Sequence, residues 1–86
     1  MAYELVYTKR AVKDIRRLDP KVKERLQKTL EKFREAPFEE SVQKLSNPEF
    51  GTYRLRIGDY RVIFDVDGNK LIILRLGHRK DIYRGI

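Results

Sequence analysis

The chain has no cysteine and a single histidine, His78. The first absence removes disulfide bridges and thiolate metal sites, and the second leaves too few imidazoles for a histidine-rich metal centre. Metal catalysis is therefore not expected. Long apolar runs are missing too. The longest is Leu71-Ile72-Ile73-Leu74, far short of the roughly 20 residues that a membrane span requires, and no signal-peptide apolar core stands at the N-terminus. A cytoplasmic protein with no membrane partner is predicted. There is no internal repeat or low-complexity segment, and 86 residues suffice for one domain, 1–86, and not for two. So small a core has few residues to spare, which puts any functional device on the surface.

What the chain has in excess is positive charge. Twenty Lys and Arg against thirteen Asp and Glu give a formal charge of +7. Such a field attracts polyanions, nucleic acid first among them. A merely solubilising surface is the alternative, and the distribution of the charge decides between them.

Residues Ala2 to Tyr7 alternate loosely and read as a half-buried first strand. Thr8 is placed to cap a helix whose apolar positions are Ala11, Ile15 and Leu18. Asp19-Pro20 interrupts it, with Pro20 suited to the first position of a second helix. There Val22, Leu26, Leu30 and Phe33 form one apolar stripe, until Pro37 stops it. Residues 37–52 read as a long irregular connection anchored by Leu45. From Tyr53 the period changes to two, through Tyr53 to Ile57, Tyr60 to Val66 and Lys70 to Leu76, with turn signals at Gly58-Asp59 and Asp67-Gly68-Asn69. The prediction is an α+β fold of order β-α-α-β-β-β, a helical hairpin packed on an antiparallel sheet.

Register then builds a cationic face. If Gly58-Asp59 is a two-residue turn, Ile57 opposes Tyr60 and Arg56 opposes Arg61, so Tyr53, Leu55, Ile57, Tyr60, Val62 and Phe64 face the helices. Arg54, Arg56 and Arg61 face away from them. A three-residue turn at Asp67-Gly68-Asn69 would set Arg75 opposite Arg61 on the same face. Like charges placed opposite each other destabilise a sheet by roughly 0.2 to 1 kcal/mol per pair. Guanidinium forks fit phosphate oxygens two at a time, so a bound phosphodiester would relieve that repulsion. Pairing with Glu49, Asp65 or Asp81 is the other way out. Past the third strand of this meander, Gly77-His78-Arg79-Lys80-Asp81-Ile82-Tyr83-Arg84 adds an imidazole, further cations and a phenol. Tyr83 is either a packing aromatic or a platform on which an unstacked RNA base gains about 1 to 3 kcal/mol. Arg75, His78 and Lys80 are further RNA-binding candidates.

The run Tyr53-Arg54-Leu55-Arg56-Ile57-Gly58-Asp59-Tyr60-Arg61-Val62-Ile63-Phe64, followed by Gly77-His78-Arg79-Lys80-Asp81-Ile82-Tyr83, resembles the RelE/ParE superfamily of toxins, and within it the RelE-like branch. Lys44-Leu45 is similar to that family's loop anchor. The resemblance implies a microbial RNase fold and cleavage of messenger RNA in the ribosomal A site, with a RelB-like antitoxin holding the toxin inactive. It implies working side chains at Arg54, Arg56, Arg61, Arg79 and Tyr83. The reaction it implies is attack of a ribose 2′-hydroxyl on the adjacent phosphate, leaving a 2′,3′-cyclic phosphate and a 5′-hydroxyl end, with no metal or other cofactor required. Some relatives carry lysine where Arg54 and Arg56 stand. Lysine can serve as a base and arginine effectively cannot, so the proton passes either to His78, since imidazole exchanges protons near neutral pH, or to the ribosome and its substrate. A ParE-like toxin that inhibits gyrase and a non-catalytic module binding RNA or antitoxin are the competing readings.

Overall fold

The computed structural model describes residues 2–36, 42–45 and 53–82. The chain order is β1 (Glu4–Tyr7), α1 (Lys9–Arg16), α2 (Pro20–Phe33), β2 (Val42–Lys44), β3 (Tyr53–Ile57), β4 (Tyr60–Asp67) and β5 (Lys70–His78). The helices start as their sequence dictates. The Thr8 hydroxyl accepts the Ala11 amide at 3.1 Å, and Asp19 accepts the Lys21 amide at 3.0 Å one residue before Pro20, each satisfying an N–H that the first turn leaves without a partner. Pro37, the predicted stop, lies outside the described residues; α2 ends at Phe33.

The sheet has five strands in the order β1-β5-β4-β3-β2. Two features depart from the sequence expectation. β1 joins the edge of the sheet parallel to β5, with Glu4 opposite Lys70 and Tyr7 opposite Ile73, so the sheet is mixed. And Val42-Gln43-Lys44, expected inside an irregular connection, forms an antiparallel edge strand with Val42 opposite Leu55. Three residues are too few for period-two alternation to stand out, which is why the pattern hid it.

Both helices cover one face. Ala11 of α1 and Leu26, Leu30 and Phe33 of α2 are buried against Leu55, Ile57, Val62, Phe64, Leu71, Ile73 and Leu76 of the sheet. Phe33 meets Phe64 edge-on at 5.3 Å, and Tyr53 stacks on Phe64 at 5.4 Å, a geometry that aromatic quadrupoles favour. Val22, Ile15 and Leu18 pack at the margin. By alternation along β3 and β4, Arg54, Arg56, Arg61, Ile63 and Asp65 belong to the opposite face.

The β3–β4 register is the predicted one, with Arg56 opposite Arg61 and Ile57 opposite Tyr60. Gly58 takes a φ of +58° and no non-glycine residue among those described has positive φ, which fits a Gly-first turn. The β4–β5 register differs. Asp67 opposes Lys70 around a two-residue Gly68-Asn69 turn, Gly68 having a φ of +59°, and a bulge follows between the Ile63 and Phe64 pairs. Together these move Arg61 opposite Gly77 and Arg75 opposite Ile63, so Arg75 is not the cross-strand partner of Arg61.

Candidate nucleic-acid interface

The β3–β4 turn and the end of β5 meet at one end of the sheet. His78, the last residue of β5, opposes Tyr60, and their rings lie edge to face at 5.4 Å. The chain then turns back on itself. The amides of Asp81 and Ile82 donate to the His78 carbonyl at 2.8 and 2.9 Å, and the Arg79 amide donates to the Asp59 carbonyl at 2.7 Å. Ile82, 1% exposed, anchors this turn. Its side chain lies against Gly77, where an added Cβ would stand 3.8 Å from Ile82 Cδ1. Arg79 is thereby fixed beside the Gly58-Asp59 turn, its Nε 3.9 Å from the Asp59 carboxylate, and its side chain stays more than half exposed.

Arg61 is held differently. Only 9% exposed, it donates from Nη1 to the carbonyls of Gly58 at 2.8 Å and Tyr60 at 2.9 Å. Those two bonds use both hydrogens of Nη1. Arg56, opposite it, is exposed and makes no hydrogen bond or ion pair among the described residues. Arg54 donates to Gln43 of β2, an interaction that depends on the unforeseen edge strand. His78 accepts the Lys80 amide on Nδ1 at 3.1 Å. With Nδ1 so occupied, the neutral imidazole carries its hydrogen on Nε2 and presents a donor to a ligand. Lys80 itself is exposed.

Arg75 is drawn off to the helix layer. Its Nε donates to Asp14 Oδ2 at 2.8 Å, and the same oxygen accepts the Leu76 amide at 3.1 Å. Asp14 is 8% exposed, and it lies between Ala11 and Ile15 in the apolar stripe of α1. An acid in such a stripe is the signal that could have found this pair. Asp14, Arg75, Tyr60 and His78 line a cleft of about 450 Å³ that opens beside the turn. On the other side of the helices, Tyr7, Val12 and Ile15 floor a groove bordered by Lys28 and Lys32, which continues past Lys13 and Arg16. Burial, with Glu31 nearby, raises the Tyr7 phenol above its usual pKa, and Arg34 partly opposes the shift.

The family profile described as ParE toxin of type II toxin-antitoxin system, parDE, matches residues 5–83. The chain belongs to this toxin family. The mRNA interferase toxin RelE of Escherichia coli strain K12 is 30% identical over 87 residues, covering 96% of this chain and 92% of that protein. The fold is shared with the RelBE2 toxin-antitoxin complex of Mycobacterium tuberculosis, TM-score 0.81 at 24% identity over 92% of this chain and 100% of that one. It is shared as well with the archaeal RelE-RelB complex of Pyrococcus horikoshii, TM-score 0.74 at 29% identity over 94% and 99%.

For a toxin of this family, the residues expected from sequence fall into three groups. Arg56, Arg61, His78, Arg79 and Lys80 gather at the β3–β4 turn and the end of β5. Arg54 stands farther along β3, opposite Ile63, and Arg75 is paired to Asp14. Tyr83 lies outside the described residues, as does Glu49. No helix among the described residues is long and apolar enough to cross a membrane.

Proposed function

We propose that this toxin is an endoribonuclease of the RelE type, which cuts messenger RNA in the ribosomal A site and is held in check by a RelB-like antitoxin. The observation that carries the reading is the gathering of Arg56, Arg61 and Arg79 around one two-residue turn. Such a set suits a phosphorus centre whose oxygens gain charge as the reaction proceeds. Relatives at about 30% identity are named mRNA interferases, which favours RNA over gyrase as the target.

In the proposed step the ribose 2′-oxygen bonds to phosphorus, the P–O5′ bond breaks, and a 2′,3′-cyclic phosphate and a 5′-hydroxyl result. Arg79 and Arg61 stabilise the phosphorane oxygens, Arg54 and Arg56 hold flanking phosphates, and Tyr83 stacks on or orients a base. His78 donates from Nε2 to a phosphoryl oxygen. Since its Nδ1 already accepts an amide, the 2′-proton passes to the ribosome or the messenger, and the action is cytoplasmic, where ribosomes are. The antitoxin is assigned the groove over Tyr7, Val12 and Ile15, whose border sets Lys9, Lys13, Arg16, Lys28 and Lys32 against the single acid Glu31 and so suits an acidic amphipathic segment.

Primer extension on a translated message, with ribosomes and toxin, tests the reading. Wild-type toxin should cut within A-site codons only when ribosomes are present, and Arg56→Ala/Arg79→Ala should lower the rate by about 100-fold or more. His78→Gln, which keeps an N–H donor, should cut well, and His78→Leu poorly. Loss of DNA supercoiling activity by gyrase, with no RNA cut, would overturn the proposal.

A further inference from the structure

Arg25 belongs to α2, yet its guanidinium reaches the sheet. A Cβ built on Gly58 would meet Arg25 Nη2 at 2.9 Å and its Cζ and Nη1 at 3.5 Å, so the guanidinium lies directly against the bare backbone of the β3–β4 turn. Gly58 therefore does two jobs. Its positive φ makes the turn, and its missing side chain admits Arg25. The same glycine's carbonyl accepts Arg61 Nη1 at 2.8 Å, so one residue is flanked by two guanidinium groups, one from the helix layer and one from the sheet. Arg56 opposes Arg61, and Arg79 stands across Asp59.

Arg10 and Arg75 share Asp14, and Arg34 has Glu31; Arg16 and Arg17, at the end of α1, have no ion pair among the described residues, and what sets Arg25 apart is its place against the turn. Arg25 makes no ion pair among the described residues, although it stands close to other cations, and it does not line the groove over Tyr7. A cation set against a turn that already gathers cations can bind an anion, and the anion offsets the repulsion around it.

We propose that Arg25 binds a phosphate of single-stranded RNA beside the one that is cut, so that the RNA path crosses the Gly58 turn from the sheet toward α2. This rests on the reading of the chain as an RNA-cutting toxin. Arg25 is a binding residue here, and it takes no part in the bond changes.

Two measurements decide it. In single-turnover cleavage on programmed ribosomes, Arg25→Ala should raise the half-saturating toxin concentration about tenfold and change the maximal rate by less than about twofold. In fluorescence anisotropy with a short labelled single-stranded RNA, the slope of log affinity against log salt should become shallower by about 0.7, the loss of one phosphate contact, and Arg25→Lys should restore it. Antitoxin affinity should stay as in the wild type. An unchanged salt slope in Arg25→Ala overturns the inference, and so does a fall in antitoxin affinity without a change in RNA affinity. Because the anisotropy assay needs no cleavage, a wild-type toxin that fails to cut would overturn the nuclease reading while the slope still decides the role of Arg25.

Discussion

Removing the Asp14 carboxylate should be among the most destabilising single changes available in this domain. One oxygen of that carboxylate, Oδ2, accepts two donors from β5, the Arg75 Nε at 2.8 Å and the Leu76 amide at 3.1 Å, and the ion pair is largely shielded, with side-chain exposures of 15% and 8%. Asp14→Ala leaves a guanidinium and a backbone N–H without their acceptor at a site with little access to water. Breaking a buried pair by removing one partner costs about 3–5 kcal/mol, against a total of about 4–13 kcal/mol for a chain of this length. At roughly 4–8 °C per kcal/mol for so small a domain, the melting midpoint falls by more than about 10 °C. Asp14→Asn keeps an acceptor for both donors and loses only the charge, so about 1–2 kcal/mol is expected. Urea denaturation of the two variants, of Arg75→Ala and of the Asp14→Ala/Arg75→Ala double variant checks the argument. The double variant should be more stable than the sum of its parts by about 1–3 kcal/mol. A cost below about 1 kcal/mol for Asp14→Ala, or strict additivity, would refute the buried-pair account.

Two further outcomes are expected. The folded state holds the Tyr7 phenol above its ordinary pKa, chiefly by burial; the unfolded chain therefore ionises first, and stability falls as pH rises from about 10 through the folded value, a loss that Tyr7→Phe should reduce in pH-dependent denaturation curves. In the groove, Val12→Glu sets a negative charge among the apolar floor residues, where it would repel an acidic partner, so titration calorimetry should show antitoxin affinity lowered by about 100-fold with RNA cleavage retained. Equal antitoxin affinities for Val12→Glu and wild type would remove the groove assignment.

Much of this fold was legible because its signals are local. Thr8 and Asp19-Pro20 announce helix starts through side-chain and backbone chemistry confined to a few residues, and Gly58-Asp59 sets the β3–β4 register unaided. From that turn alone it follows that Arg56 stands against Arg61. Long-range matters were less legible. Whether β1 pairs with β5, and in which direction, depends on neighbours far along the chain. The shift of Arg75 follows from the two-residue Gly68-Asn69 turn and from one inserted residue at the bulge. Its trace is visible in the sequence, since Leu71 and Ile73 keep period two while the next core residue is Leu76, a change of phase that a strict alternation cannot make. How the cations of the candidate site are held was less legible than where they stand on the strands. Gln43 and Asp14, which position Arg54 and Arg75, come from elements whose proximity only the tertiary fold creates, whereas Arg61 is held by carbonyls three and one residues away.

The parallel seating of β1 on β5 also fixes an order of assembly. The Thr8 hydroxyl donates to the carbonyl of Leu74, 66 residues away, and the Glu4 amide donates to Asn69, so the first strand made has no place in the sheet until the last strand exists. The same last strand carries His78 and leads to Arg79. During synthesis, when chains emerge N-terminus first, a growing copy can form the helical hairpin early but cannot complete the sheet or bring its tail cations to the Gly58 turn. A chain made by a ribosome thus acquires its cationic cluster only after β5 and the turn beyond it have emerged, so a nascent copy that has not reached that point carries no assembled cluster.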